Sequence, residues 1–160
     1  MIMIKKDLKA NLIDNVVLWA DNKGILKKEF LFKQILKKDE ELGELSQALF
    51  NENRHDIIDA IGDIQVTLII NAKVRGIKII DTFTGVCTER SFEYLYKKLH
   101  LSVSECSDEN ATSYNFSKAF SNIERFCDTI GLDSVECLKV AYDVISKRKT
   151  KTVNGKVLKY

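Results

Sequence analysis

The chain of 160 residues contains no proline and only seven glycines. Proline and glycine are the residues that disfavour helix interiors most strongly, so their scarcity permits long helices. Apolar residues recur along the chain at steps of three and four, which is the period of an α-helix. The hydrophobic fraction of 45% is sufficient for a core, and 160 residues is an ordinary size for one domain. The sequence therefore predicts a single all-α domain, residues 1–160.

The sequence also lacks an apolar run long enough to cross a membrane. The longest run, residues 64–70, is interrupted by Gln65 and Thr67, whereas a spanning helix needs about 20 apolar residues. The first residues lack the pattern of a signal peptide. We expect a cytoplasmic protein with no membrane partner and no stable nucleic-acid partner. The cysteines are widely spaced without a C-x-x-C pair, which favours reduced thiols over a disulfide or a zinc site; they are Cys87, Cys106, Cys127 and Cys137.

Hydrophobic periodicity predicts six helices. They cover residues 6–20, 29–51, 54–75, 89–104, 114–130 and 133–148. Near the end of the chain, Asn154-Gly155 stands between β-forming residues, which is the strongest short signal for a β-hairpin. The third predicted helix carries more apolar positions than one small bundle can cover. We therefore expect a helical bundle assembled as an oligomer, with a short C-terminal β-hairpin.

The third predicted helix carries a polar stripe. Asp59, Asp63, Thr67 and Asn71 follow one another at steps of four, and residues four apart lie on one face of a helix. The neighbouring positions are almost all isoleucine, leucine or valine, so a helix of this composition is normally buried. The stripe therefore either faces solvent or lines an internal site.

The second predicted helix carries a matching polar face. Its residues are spaced by three, four and three positions, and they are Gln34, Lys37, Glu41 and Glu44. Glu41 and Glu44 point their carboxylates the same way and repel each other. A hard cation such as Mg²⁺ offsets this repulsion because it takes oxygen ligands, and helical bundles often build metal sites from facing helices. The alternative is that both stripes are ordinary solvated helix faces. The candidate ligands are Glu40, Glu41, Glu44, Asp59 and Asp63.

Two further features bear on a ligand. Residues 147–160 hold six of the 25 Lys and Arg residues and no acid. This basic tail either binds phosphate groups or forms a solvated end. Trp19 lies at the end of the first predicted helix, where it either packs into the core or stacks on a base.

The polar segments resemble a known family. Gln34, Lys37 and Glu40-Glu41-Leu42-Gly43-Glu44-Leu45, followed by Asp59-Ala60-Ile61-Gly62-Asp63, resemble the MazG-like all-α nucleotide pyrophosphohydrolases, and among these the small phage and bacterial members. Residues 19–26 and 136–155 are similar to the two ends of those proteins. The resemblance covers residues 10–80 and 130–160. Residues 85–130 are interpreted as a helical insertion or a diverged segment.

The chain departs from the family pattern at one position. The family motif is E-x-x-E followed by E-x-x-D; Glu41, Glu44 and Asp63 match it, but Ala60 stands where the second half has Glu. Asp59 is the nearest acid that could replace it. Family members often carry Asn seven residues after the last Asp, which is Ile70 here, with Asn71 beside it.

The resemblance implies Mg²⁺-dependent hydrolysis of a nucleoside triphosphate to the monophosphate and pyrophosphate, with Mn²⁺ as a possible substitute. It implies Glu41 and Glu44 as catalytic residues, with Glu41 as general base, and a homodimer or homotetramer with sites near the subunit interfaces. The candidate substrate-binding residues are Gln34, Lys37, Trp19, Asn71, Lys147, Arg148 and Lys151. The alternative is a non-catalytic module of the same fold that binds nucleotides or a protein.

Overall fold

The computed structural model describes residues 2–80 and 90–160, and within them six α-helices precede a two-stranded sheet. The helices are α1 Ile2–Asn22, α2 Leu31–Phe50, α3 Arg54–Val74, α4 Phe92–Glu105, α5 Ser113–Thr129 and α6 Ser134–Lys147; the strands are β1 Thr150–Val153 and β2 Lys156–Lys159. A 3₁₀ turn, Lys28–Phe30, precedes α2. The predicted all-α fold with a C-terminal hairpin is confirmed.

The centre of the molecule is α3. A short turn joins it to α2, and the Asn53 side chain begins it by accepting a hydrogen bond from the Asp56 amide. It packs against α2 and α6, and also against α1 and α5. From Ala60 to Ala72 every residue except Asp63 is buried within the single chain. The expectation that one bundle cannot cover this helix is therefore wrong, because four other helices surround it.

Gly62 lets α6 approach α3 closely. A Cβ atom at this position would lie 2.3 Å from the Cys137 carbonyl oxygen and 2.7 Å from the Ala141 Cβ. Such distances are shorter than van der Waals contact, so a larger residue would push α6 away. Because Asp63 follows Gly62 directly, this crossing also fixes one residue of the polar stripe.

A helical hairpin, α4 and α5, covers the remaining side of the bundle. Lys38 is 1% exposed and donates from Nζ to the Val103 carbonyl, at 3.1 Å, and to the Ser107 hydroxyl. Arg75 donates to the Cys106 carbonyl at 2.7 Å. Both cations thus satisfy carbonyl groups at the end of α4, where a helix leaves them without partners.

The hairpin β1–β2 turns at Asn154 and Gly155, whose φ angles of 48° and 74° are those of a two-residue turn of this kind. Its turn lies on the start of α2. Gln34 Nε2 donates to the Gly155 carbonyl at 3.3 Å, and Lys33 donates to the Asn154 carbonyl. A Cβ atom at Gly155 would lie 2.3 Å from the Phe30 ring, so the fit requires glycine.

The remaining expectations of the fold concern the cysteines and membrane segments. Cys106, Cys127 and Cys137 are buried and free, whereas Cys87 lies outside the described residues. The sequence of residues 77–86 is compatible with either a helix start or an irregular link; of these residues only 77–80 are described, and they form neither helix nor strand. Within the described part of the chain, no helix combines the length and the apolar character that crossing a membrane requires.

Candidate functional site

The polar faces of α2 and α3 meet in an antiparallel register. Asn71 Nδ2 donates to the Gln34 carbonyl at 3.3 Å. Glu41 is seven residues after Gln34 on α2, and Asp63 is eight residues before Asn71 on α3. These two acids lie close enough that the charge of Asp63 affects the pKa of Glu41. At 1.5 Å per residue, the Gln34–Asn71 pair and the Glu41–Asp63 pair are separated by about 10–12 Å along the helices.

Glu41 is the buried carboxylate of this interface. Only 3% of its side chain is exposed, and its Oε1 lies 2.7 Å from Lys37 Nζ. Its Oε2 is buried without a hydrogen-bond partner. Burial raises the pKa of Glu41 to about 7, against the lowering effect of Lys37 and with a further contribution from the charge of Asp63. The site therefore contains a carboxylate oxygen that the protein itself leaves unsatisfied.

Asp63 is partly buried beside Glu41. Its pKa is raised to about 6, chiefly by burial; the charges of Asp59 and Glu44 add to the rise, while those of Lys37 and Arg148 oppose it. Three elements thus contribute charge at Asp63: α2, α3 and the residue that follows α6. We refer to Glu41, Glu44 and Asp63 as the carboxylate cluster.

Lys37 forms ion pairs with two carboxylates of α2, the exposed Glu40 and the buried Glu41. Its Nζ lies 3.2 Å from Glu40 Oε2 as well as 2.7 Å from Glu41 Oε1. Burial alone would lower the pKa of Lys37, but the bonds to the two carboxylates raise it above its usual value. Glu40 itself is exposed, so its carboxylate lies at the solvent side of Lys37 and not inside the carboxylate cluster.

Asp59 has a different neighbour. Its Oδ2 lies 3.4 Å from His55 Nδ1, and its side chain is 44% exposed. Among residues 2–80 and 90–160, His55, Asp56 and Asp59 form the one group of three potential ligand residues whose ligand atoms all lie within 4.8 Å of one another. The ligand atoms of Glu41, Glu44 and Asp63 therefore do not all lie within 4.8 Å of one another. Ala60, at the position of the family glutamate, is 2% exposed and belongs to the apolar core.

The candidate substrate-binding residues divide into two sets. Gln34, Lys37 and Asn71 belong to the α2–α3 interface described above, and the charge of the exposed Arg148 acts on Asp63 there. Trp19 is half-buried and packs against the apolar core from α1, which supports its interpretation as a core residue.

Lys147 and Lys151 belong to the second set with Trp19. Lys147 ends α6 and is exposed. Lys151 is exposed on β1, whose alternate residues face opposite sides of the hairpin.

Sequence reasoning missed Lys38. Its burial had a signal in the pattern, because it falls between Ile35 and Leu42 at steps of three and four, where an apolar residue is expected. A charged residue at a core position requires partners, and here these are the Val103 carbonyl, the Ser107 hydroxyl and the Asp39 carboxylate at 3.3 Å. Lys38 therefore positions α4 against the helix that carries the carboxylate cluster.

A cavity of about 350 Å³ lies elsewhere, near the turn between α2 and α3. Its lining includes Leu49, Arg54, Ile57, Phe92 and Leu132, and it is mostly apolar. Leu49 lies near the opposite end of α2 from Gln34, so the cavity is separate from the Gln34–Asn71 end of the polar interface.

No family model, no curated protein and no solved structure matches this chain. The resemblance to the MazG-like proteins thus remains a prediction from the residues, and the geometry of the α2–α3 interface has to carry any functional argument.

Proposed function

We propose that the protein hydrolyses nucleoside triphosphates to the monophosphate and pyrophosphate with the help of Mg²⁺ or Mn²⁺. The observation that carries this proposal is Glu41. It is a buried carboxylate with a raised pKa, one oxygen paired to Lys37 and the other without a partner. A buried polar atom without a partner requires an explanation, and a perturbed acid beside a second one is typical of a functional site.

The residues of the carboxylate cluster suit a hard cation. Mg²⁺ takes oxygen ligands and is commonly held by one or two carboxylates together with substrate phosphates. Glu41 Oε2 and Asp63 face the α2–α3 interface, and Glu44 is exposed, so its side chain can turn toward them. When bound, the cation supplies charge neutralisation at the phosphates and a more acidic water. Asp59 and Glu40 are further candidate ligands at the edge of the site.

The chain's own residues have distinct parts in the reaction. Lys37 and Arg148 are cations whose charges act on the carboxylate cluster, and they bind the phosphate oxygens. When Lys37 turns to a phosphate, Glu41 Oε1 is released from its ion pair. That oxygen would then accept the proton of the attacking water as a general base.

We propose further that the protein is a homodimer. Phe32, Leu36 and Phe50 are 69%, 52% and 85% exposed, and their spacing places them on one face of α2. The exposed surface of α2 also changes sign along its length, from Lys33 and Lys37 to acids at positions 39, 40 and 44. A second copy packed antiparallel would cover the apolar residues and oppose unlike charges. This arrangement places the second copy beside the carboxylate cluster.

A second candidate function is nucleotide binding without turnover. Ala60 leaves an apolar methyl group in the core where the family motif has a glutamate, and Asp59 is directed to His55. If Asp59 does not complete the carboxylate cluster, the site retains phosphate-binding cations but lacks one acid.

Pyrophosphate release from a panel of ribo- and deoxyribonucleoside triphosphates with Mg²⁺ tests the proposal. The wild type should release pyrophosphate from at least one of them, and Glu41→Gln should reduce the rate by about 100-fold or more. Glu109→Gln is the matched control, since Glu109 is exposed in the loop after α4. Nucleotide binding without pyrophosphate release would favour the second candidate. Normal turnover by Glu41→Gln would contradict the part assigned to Glu41.

A further inference from the structure

Several buried polar side-chain atoms of the described residues lack a hydrogen-bond partner. Among the described residues, six buried side-chain nitrogen or oxygen atoms have no hydrogen-bond partner. Four of the six belong to Glu41, Asn71, Thr150 and Thr152. Folded proteins rarely leave such atoms unsatisfied unless water or a ligand supplies the partner. Glu41 belongs to the carboxylate cluster; the other three are not explained by a cation.

The two threonines lie on the inner face of the hairpin. They are two residues apart on β1, so their side chains face the same side. Thr152 pairs with Val157 on β2, and opposite residues in an antiparallel pair share a face. Val157 packs against the apolar core, which identifies this face as the one turned toward the helices. The hydroxyl groups of Thr150 and Thr152 therefore point into the molecule.

Residues near both ends of β1 interact with the polar interface of α2 and α3. The strand begins just after Arg148, whose charge is felt by Asp63, and it ends at the turn that Gln34 holds through the Gly155 carbonyl. Four strand residues span about 13 Å. This length is close to the 10–12 Å that separates the Glu41–Asp63 pair from the Gln34–Asn71 pair. β1 thus runs from the residue whose charge acts on Asp63 toward the turn bound by Gln34, and the Gln34 carbonyl in turn accepts a hydrogen bond from Asn71.

We propose that Thr150 and Thr152, together with Asn71, bind the nucleoside portion of the nucleotide through hydrogen bonds. A hydroxyl group can donate and accept, and Asn71 Oδ1 can accept from an N–H or O–H group. A sugar hydroxyl and the polar edge of a base both offer this chemistry. The phosphates occupy the other end, beside Lys37 and Arg148. This inference rests on the proposed function, because it assumes that the carboxylate cluster receives the phosphates.

Replacement of both threonines by valine separates binding from folding. Valine keeps the shape of threonine but lacks the hydroxyl group. In the free protein the change removes two buried hydroxyl groups without partners, so the melting temperature should stay level or rise. With nucleotide bound, two hydrogen bonds are lost. Hydroxyl groups that served only the fold would give the opposite result, a lower melting temperature at unchanged nucleotide affinity.

Calorimetric titration with an α,β-methylene nucleoside triphosphate and Mg²⁺ is the test. The affinity of Thr150→Val/Thr152→Val should fall about tenfold or more, while the affinity for inorganic triphosphate stays at the wild-type value. The serine pair, Thr150→Ser/Thr152→Ser, should restore nucleotide binding. Thr129→Val is the matched control, because the Thr129 hydroxyl already donates to the Phe126 carbonyl at 2.6 Å. Comparing ribo- and 2′-deoxynucleotides distinguishes contacts to the sugar from contacts to the base.

The outcomes separate this inference from the function it rests on. If the wild type releases pyrophosphate and the valine pair binds nucleotide as tightly as the wild type, only the assignment of the threonines is overturned. If the wild type binds no nucleotide, both proposals are overturned. A loss of affinity for inorganic triphosphate equal to the loss for nucleotide would also overturn the assignment, since it would place the hydroxyl groups at the phosphates.

Discussion

Lys37 Nζ lies 2.7 Å from Oε1 of Glu41, a carboxylate that is 3% exposed, yet burial still raises the pKa of that carboxyl group to about 7. A single ion pair at the edge of solvent does not offset the cost of removing a charge from water. The carboxylate cluster therefore carries an unfavourable interaction in the free protein, which a cation or a proton relieves.

The first prediction concerns stability against pH. Glu41 and Asp63 have pKa values of about 7 and about 6, above their ordinary values of 4.5 and 3.8. The folded state therefore binds protons more tightly than the unfolded state does. The contribution of these two groups to stability is fully present at low pH and is lost as the pH rises to about 7. The groups that face them are Lys37, Asp59 and Arg148, as well as Glu44.

Urea unfolding of the metal-free protein between pH 4.5 and pH 8 measures this loss. The free energy of unfolding of Glu41→Gln should fall less steeply with pH than that of the wild type. The difference in slope should correspond to at most about one proton fewer released on unfolding. Glu109→Gln, at an exposed position, should keep the wild-type slope. An unchanged slope in Glu41→Gln would show that Glu41 titrates normally.

The second prediction concerns the crossing of α3 and α6. Gly62→Ala places a methyl group 2.3 Å from the Cys137 carbonyl oxygen, so it should destabilise the protein by about 1–3 kcal/mol. Gly43→Ala is the matched control, since nothing lies within 4 Å of a Cβ there. It should stabilise α2 by up to about 1 kcal/mol because alanine favours helix. Denaturant unfolding measures the stability of both variants. Equal effects of Gly62→Ala and Gly43→Ala would contradict the close approach of α3 and α6.

The third prediction concerns the buried amine of Lys38. Lys38→Met leaves the Val103 carbonyl and the Ser107 hydroxyl without this donor. The expected loss is about 1.5–3 kcal/mol, the range for hydrogen bonds to a charged group. Lys97→Met, at an exposed position on α4, should change stability by less than about 0.5 kcal/mol. If thermal unfolding shows wild-type stability for both variants, Lys38 does not contribute to the docking of α4.

The fourth prediction concerns self-association. Phe32→Ser removes an aromatic side chain from the exposed apolar face of α2, so sedimentation should show a shift from dimer to monomer at micromolar concentration. Tyr114→Ser is the matched control, because Tyr114 is 71% exposed on α5. A wild type that sediments as an 18.3 kDa monomer at the same concentration would refute the dimer.

The periodic segments of the sequence predicted the helices well, because packing and local preference agree there. Predicted residues 54–75 became Arg54–Val74, and predicted residues 133–148 became Ser134–Lys147, which the Asp133 side chain caps by accepting from the Val135 and Glu136 amides. The Asn154-Gly155 signal also identified the turn of the hairpin. In these segments a short stretch of sequence determines its own structure.

The site was predicted less completely, because it depends on contacts between distant residues. The polar faces of α2 and α3 were visible in the spacing, whereas the direction of Asp59 toward His55 was not. The role of the hairpin was also hidden, since Thr150 and Thr152 become informative only when their hydroxyl groups are buried without partners. Periodicity shows which face is polar, but not which groups on it are satisfied by other parts of the chain.

The central claim is that Glu41, Glu44 and Asp63 together hold the cation that turnover requires. The rate of pyrophosphate release as a function of Mg²⁺ concentration, measured for Asp63→Asn and Asp59→Asn against the wild type, tests it most directly. We predict that Asp63→Asn abolishes turnover at every Mg²⁺ concentration while its helical circular-dichroism signal is retained. Asp59→Asn should raise the Mg²⁺ concentration needed for half-maximal rate if Asp59 replaces the missing glutamate at Ala60. Near-normal turnover by Asp63→Asn across the whole Mg²⁺ range would contradict the account.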